Sequence, residues 1–271
     1  MNRPPRPVRV LVPVLATGIL LTAAACGSNE DGSSGTASAS PAAERTPTPA
    51  ATATPALTGS GARAALITPA DLGTNWTQVN NASTWRDKLM VKNVDVAAFL
   101  NARTTTADCQ KLLDSLYSDT LLGRPPGASA LTGFTQGDAR LLYQVGDYGQ
   151  ASLEKSLDWV KGLPDKCAQF TATGSDGGKR TVQVVKKSLP AAGDQRQGLT
   201  VTVRGTADGK PVTVTVDLAA VRVGASGITV TNGGPSGANH DTTATAVQQG
   251  TQRLKDVLAG KTPAATPSPS G

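Results

Sequence analysis

The clearest pattern in the chain is an alternation of apolar and polar positions between residues 181 and 232. Leu199, Val201 and Val203 share one phase of a run. Val212, Val214, Val216 and Leu218 share one phase of the next, with threonines between them. Period-two alternation marks a strand with one buried face, and it predicts strands over 181–188, 199–206, 211–223 and 227–232. Asp208-Gly209 between two such runs predicts a tight hairpin, and 224–227 predicts another turn. Strands joined so closely are antiparallel, so this region reads as a meander with one buried and one wetter face.

Before the meander the period lengthens. Cys109, Leu112, Leu113 and Leu116 recur at helical spacing and predict a helix over 106–122, opened by Thr106 and stopped by Gly123 and Pro125-Pro126. Leu141, Tyr143 and Val145 alternate and predict a strand over 139–145. Leu153, Leu157 and Val160 predict a second helix over 152–161, ended by Gly162 and Pro164, with a strand following over 167–173. Thr68-Pro69-Ala70-Asp71-Leu72-Gly73 reads as a single capped turn: Pro69 suits the first helical position, and Gly73 suits a left-handed end. Val247, Thr251, Leu254 and Leu258 predict a last helix over 241–259, capped by Asp241. Trp76 and Trp85 fall in an irregular stretch and read as anchors that pack a loop on the core. Helix, strand, helix, meander and closing helix make an α+β pattern: an antiparallel sheet flanked by helices, in one domain.

The ends of the chain follow other rules. Arg3, Arg6 and Arg9 precede an apolar run over 10–21, and Ala23-Ala24-Ala25-Cys26 closes it with small residues. A basic start, a short apolar core and a small-residue exit predict a signal peptide over 1–25. A run so short, interrupted by Pro13, does not fill a bilayer core of about 30 Å. Cys26 at the exit resembles the lipobox cysteine of bacterial lipoproteins. That resemblance implies a diacylglycerol on the thiol, cleavage just before it and acylation, often with palmitate, of the new terminus. Lipoboxes usually carry Leu where this chain has Ala23. Ordinary cleavage after Ala25, releasing a soluble protein, is the alternative.

Residues 26–62 are mostly Ser, Thr, Ala, Gly and Pro, and they predict a disordered tether with an end-to-end distance of ~30–35 Å. Residues 261–271 predict a tail of the same kind. The domain between, 63–260, is long enough for a proper core.

Composition removes several classes of function. The chain carries a net charge of +6, but removing Arg3, Arg6 and Arg9 leaves 23 basic against 20 acidic residues, or +3. Without a basic run, and with 3% aromatic residues, the chain lacks a nucleic-acid footprint. Cysteine parity and the extracytoplasmic address predict a bond between Cys109 and Cys167, leaving Cys26 for lipid. One histidine, His240, rules out a multi-histidine metal site, and no acidic cluster has ligand spacing, so no metal or cofactor is expected. No G-x-S-x-G elbow accompanies His240, which reads as a solvated residue of a polar loop. Ser152-Leu153-Glu154-Lys155 matches S-x-x-K, yet its S-D-N and K-T-G partners are missing. The glycine-rich stretches 174–178 and 233–237 lack a phosphate-loop pattern and read as turns.

The run Ser188-Leu189-Pro190, then Gly193-Asp194, a strand, a turn and Val221-Arg222-Val223-Gly224 resembles the PknH-type extracellular sensor domains. These occur on mycobacterial serine/threonine kinases and in actinobacterial lipoproteins. The opening 66–72 and Trp159 ahead of Cys167 fit the same pattern. The resemblance implies an antiparallel sheet flanked by helices around a ligand cleft, and it brings over no catalytic residue. Together these readings predict a non-catalytic lipoprotein on the outer face of the cell membrane. Its partners would be the membrane, through the anchor, and an unidentified small molecule or envelope protein. The alternatives are an envelope lipid or glycolipid carrier and a cell-wall hydrolase.

Overall fold

In the computed structural model, which describes residues 56–264, the meander is one arm of a larger sheet. The chain opens with α1 (Gly59–Ala64), α2 (Pro69–Leu72) and β1 (Thr77–Val79), then a 3-10 turn at Ala82–Thr84. Next come β2 (Met90–Val91), β3 (Val94–Asp95), α3 (Val96–Leu100), β4 (Ala102–Arg103) and α4 (Ala107–Ser115). The hairpin of β5 (Ser129–Gln136) and β6 (Ala139–Asp147) leads into α5 (Gln150–Lys166). The meander is β7 (Gln169–Gly174), β8 (Lys179–Lys187), β9 (Gln195–Ala207), β10 (Lys210–Val223) and β11 (Ser226–Gly234), and α6 (His240–Leu258) closes it.

The sheet is antiparallel throughout, in the order β1-β5-β6-β11-β10-β9-β8-β7-β4, with β2 and β3 paired separately. After β6, α5 carries the chain to the far side of the sheet, and the meander returns until β11 pairs with β6. Asp208 and Gly209 both have positive φ, 51° and 72°, as the predicted hairpin requires. That turn fixes the register in which Val214 faces Val203, Val216 faces Val201 and Leu218 faces Leu199. These pairs form a buried floor on one face, and Leu153, Leu157, Val160 and Leu163 of α5 pack in the same cluster.

The expected wetter face exists over only half of the sheet. In β8, exposed Thr181, Gln183 and Val185 alternate with buried Arg180, Val182 and Val184. In β11 all nine residues are buried, because α6 covers the second face there. Strand β10 spans the change. Its first half alternates Val and Thr, whereas Leu218, Ala219, Ala220 and Val221 are all buried, the mark of a strand covered on both sides. The second core takes Ala219 and Val221 with Tyr143, Val145, Ile228 and Val230, under Ala246, Val247 and Leu254 of α6.

Several expected boundaries move. The domain begins before residue 63: Leu57 and Ala62 are buried, so α1 belongs to the second core and not to the tether. Helix α4 stops at Ser115, where the sequence predicts continuation to 122. Leu116 is extended and Tyr117 has φ 51°, and this break turns the Tyr117 ring into the core. The Ser115 hydroxyl donates to the Leu112 carbonyl and the Ser118 hydroxyl to that of Ser115, satisfying part of the frayed end.

Helix α5 runs through Gly162 and Pro164, which were expected to end it, to Lys166. The extra turn brings Leu163 into the core and Cys167 to the helix end, so β7 starts at Gln169. Asn239, not Asp241, caps α6: its side-chain oxygen accepts from Thr242 N at 3.2 Å. Strand β5 was not predicted, because Gly133 and its threonines blur the alternation. Gly133 sits where a Cβ would come within 2.4 Å of the Ala82 Cβ. Residues 1–25, read from the sequence as a signal peptide, Cys26, most of the expected tether and the last seven residues lie outside the described residues.

Candidate ligand-binding site

Where α4 breaks, the surface is notched. Trp85 is buried against the edge of Tyr117, with ring centroids 6.1 Å apart at 77°. The Tyr117 hydroxyl donates to the Gly233 carbonyl at 2.7 Å, across to the centre of the sheet. Burial pushes that phenol well above its ordinary range, so it remains a neutral donor. A bulky residue with positive φ is strained, and here the buried ring and its hydrogen bond hold the conformation.

Beside this pair lies a cleft of about 410 Å³, floored by Trp85, Leu116 and Tyr117 and rimmed by Arg86, Asn101, Arg103, Asp114 and Ser175. Gln110 of α4 organises one wall. Its side chain accepts from Thr104 N at 2.8 Å and donates to Asp114 Oδ1 at 3.0 Å and to the Ala102 carbonyl at 3.3 Å. Arg103 is thereby held 3.8 Å from Asp114. The opposite wall is the 174–178 turn, pinned by Arg180. That guanidinium is buried, lies 4.6 Å over Phe99 and binds Asp176 at 2.8 Å, holding the Asp176 carboxyl below its ordinary range. Cβ atoms at Gly174 and Gly178 would come within 2.9 and 2.5 Å of guanidinium nitrogens, so these glycines make room for the arginine.

A rigid aromatic floor under a rim with both charge signs suits a small polar ligand. The volume falls within the range of about 300–1,000 Å³ typical of small-molecule sites.

The other residues singled out in the sequence fall elsewhere. Cys109 and Cys167 are joined by a disulfide that ties α4 to the end of α5. Beside it Asp108 accepts from Trp159 Nε1 at 3.0 Å and from Lys166 at 2.8 Å; the lysine holds its carboxyl below the ordinary range. Ser152 and Lys155 are both exposed, whereas S-x-x-K chemistry needs the lysine buried beside the serine.

His240 departs from its expected solvated setting. It opens α6 with its side chain 30% exposed, and Nδ1 lies 3.1 Å from Oδ2 of the buried Asp217. Thr200 donates to the other oxygen of Asp217 at 2.6 Å. Asp217 was not singled out in the sequence. Its signal is there: it sits in the polar phase of β10 with Thr213 and Thr215, just before Ala219 and Val221 turn that phase apolar. Ser236 and His240 line one shallow depression, but the Ser236 hydroxyl bonds Asp138 at 2.8 Å. Among the described residues no three His, Cys, Asp or Glu side chains converge on a possible metal position.

Comparison with known proteins returned no matching family model and no matching curated protein. Among solved structures, the chain is similar to the extracellular domain of PknH from Mycobacterium tuberculosis. The two share 13% sequence identity at a TM-score of 0.46, over 77% of this chain and 100% of the other.

Proposed function

We propose that this chain is a membrane-anchored extracytoplasmic lipoprotein whose domain binds a small polar ligand or an envelope partner and catalyses nothing. The cleft over Trp85 and Tyr117 carries this reading: a preformed concavity with a fixed floor and a polar rim recognises a ligand, and its walls hold no nucleophile paired with a base. The Cys26 exit of the apolar run supports the anchor, and the disulfide supports an oxidising compartment. A charged mouth fits a polar ligand better than the acyl chain of a lipid carrier.

One observation favours a hydrolytic alternative. A histidine oriented by a buried aspartate is the positioning half of a catalytic triad. The serine at the same depression is bonded to Asp138, so binding remains the better account.

Labelled palmitate and membrane fractionation test the anchor. Label and membrane association should both vanish in Cys26→Ala, and a variant that stays labelled and membrane-bound would refute it. Hydrolysis of cell-wall material that disappears in His240→Ala or Ser236→Ala, with the fold intact, would overturn the non-catalytic reading.

A further inference from the structure

Among the described residues six of the 22 lysines and arginines make ion pairs with carboxylates. One groove gathers four of those that do not. Between α5 and the adjoining ends of β8 and β9 lies a depression of about 430 Å³ lined by Lys161, Lys186, Lys187 and Arg196. Its walls hold a single carboxylate, Asp158, and none of the four cations takes part in an ion pair. They come from three separate elements, so the fold gathers them and no basic run in the sequence does.

Like charges gathered in one groove repel within a Debye length of about 10 Å. One carboxylate against four cations leaves the groove with an excess of positive charge, which suits it to an external anion. Its parts are of the right kind. The Arg196 guanidinium is steadied by Nε donating to the Leu189 carbonyl at 3.4 Å, leaving its other N–H groups for a paired contact, and the lysines add mobile point charges. Leu157 gives the groove a buried apolar base.

We infer that the α5–β8–β9 groove is an anion-binding site for a phosphate-bearing group, separate from the Trp85 cleft. The group can come from a soluble phosphate ligand or from the headgroup of an anionic lipid. The site stands whether or not Cys26 is acylated.

The test uses the full chain with two probes: inorganic pyrophosphate followed by calorimetry, and sedimentation with vesicles of phosphatidylglycerol or of phosphatidylcholine alone. The N-terminal apolar run is common to every variant and cancels in the comparison. Lys186→Glu/Arg196→Glu should weaken binding by about tenfold or more, and Lys161→Glu should weaken it in the same direction. Lys255→Glu, an exposed charge on α6, should change it by less than about twofold. Loss from pyrophosphate alone assigns a soluble ligand; loss from phosphatidylglycerol alone assigns the bilayer surface; either result supports the site. Phosphatidylcholine sets the baseline that the apolar run contributes. If the groove variants lose binding to neither pyrophosphate nor phosphatidylglycerol, or if Lys255→Glu matches the groove variants, the assignment is wrong.

Discussion

The two faces of the sheet are covered in different ways. On one, α4 and α5 are cross-linked by Cys109–Cys167, whose partners lie 58 residues apart, and the cover is notched by the Trp85 cleft. On the other, α6 and the early helices α1 and α2 come from opposite ends of the described chain and have no covalent link. That cover is held by fit and by buried charge. Gly250 of α6 lies over Tyr143, and Arg253 reaches the buried Asp71 at 3.5 Å and the Ala64 carbonyl at 3.3 Å. A cross-linked cover can carry a strained residue and a concavity beside it. A cover that relies on close approach gains from having its seam filled.

If that contrast is right, the largest single loss should come from the cross-link. Replacing Cys109 and Cys167 with Ala should cost about 4 kcal/mol by the chain-entropy account. In hydrogen exchange the loss should loosen α4 and the 101–104 wall more than α6. Urea unfolding measures the first effect, and equal loosening of both faces would remove the distinction.

Gly250→Ala should follow, with a loss of about 1–3 kcal/mol. Gly→Ala within a helix normally stabilises by about 1 kcal/mol, but a Cβ here would lie 2.3 Å from the Tyr143 hydroxyl oxygen. A stabilised variant would show that the seam is loose.

His240→Ala should destabilise by about 1–2 kcal/mol, because it leaves one oxygen of buried Asp217 without its partner. Thermal melts with and without Asp217→Asn would separate the lost pair from lost packing. A silent His240→Ala would return the residue to the solvated role its sequence suggests.

The smallest effect is on acid stability. Asp108, held low by Lys166, and Asp138, held low by Lys92, have folded values below the ordinary 3.8. Depressed carboxylates stabilise above the unfolded value, and that contribution fades as pH falls through the folded one. The urea midpoint should therefore drop below about pH 4, and less steeply in Asp108→Asn. A midpoint that rises on acidification would contradict the sign.

The sequence made the meander legible because its alternation is long and its hairpin turn explicit. The α+β class followed from the order of elements. The doubly covered half was harder to read. Nothing local in Ser226–Gly234 states that α6 folds back over it, and covering a second face is a tertiary event. The break at Tyr117 escaped for a similar reason: its side-chain reward is a carbonyl 116 residues away. The cleft was invisible because Trp85, Asn101, Asp114 and Ser175 belong to four separate segments. The setting of His240 is not legible in the sequence because its partner lies 23 residues earlier, on strand β10, while His240 opens α6.

The central claim is that the notched face binds ligands and does so beside Trp85. Amide chemical-shift mapping of the full chain against a library of small polar fragments tests it directly. Saturable shifts should gather at Arg86, Asn101, Arg103 and Ser175, and Arg103→Glu should change which fragments bind. Shifts centred on His240 and α6, or spread without a focus, would contradict it.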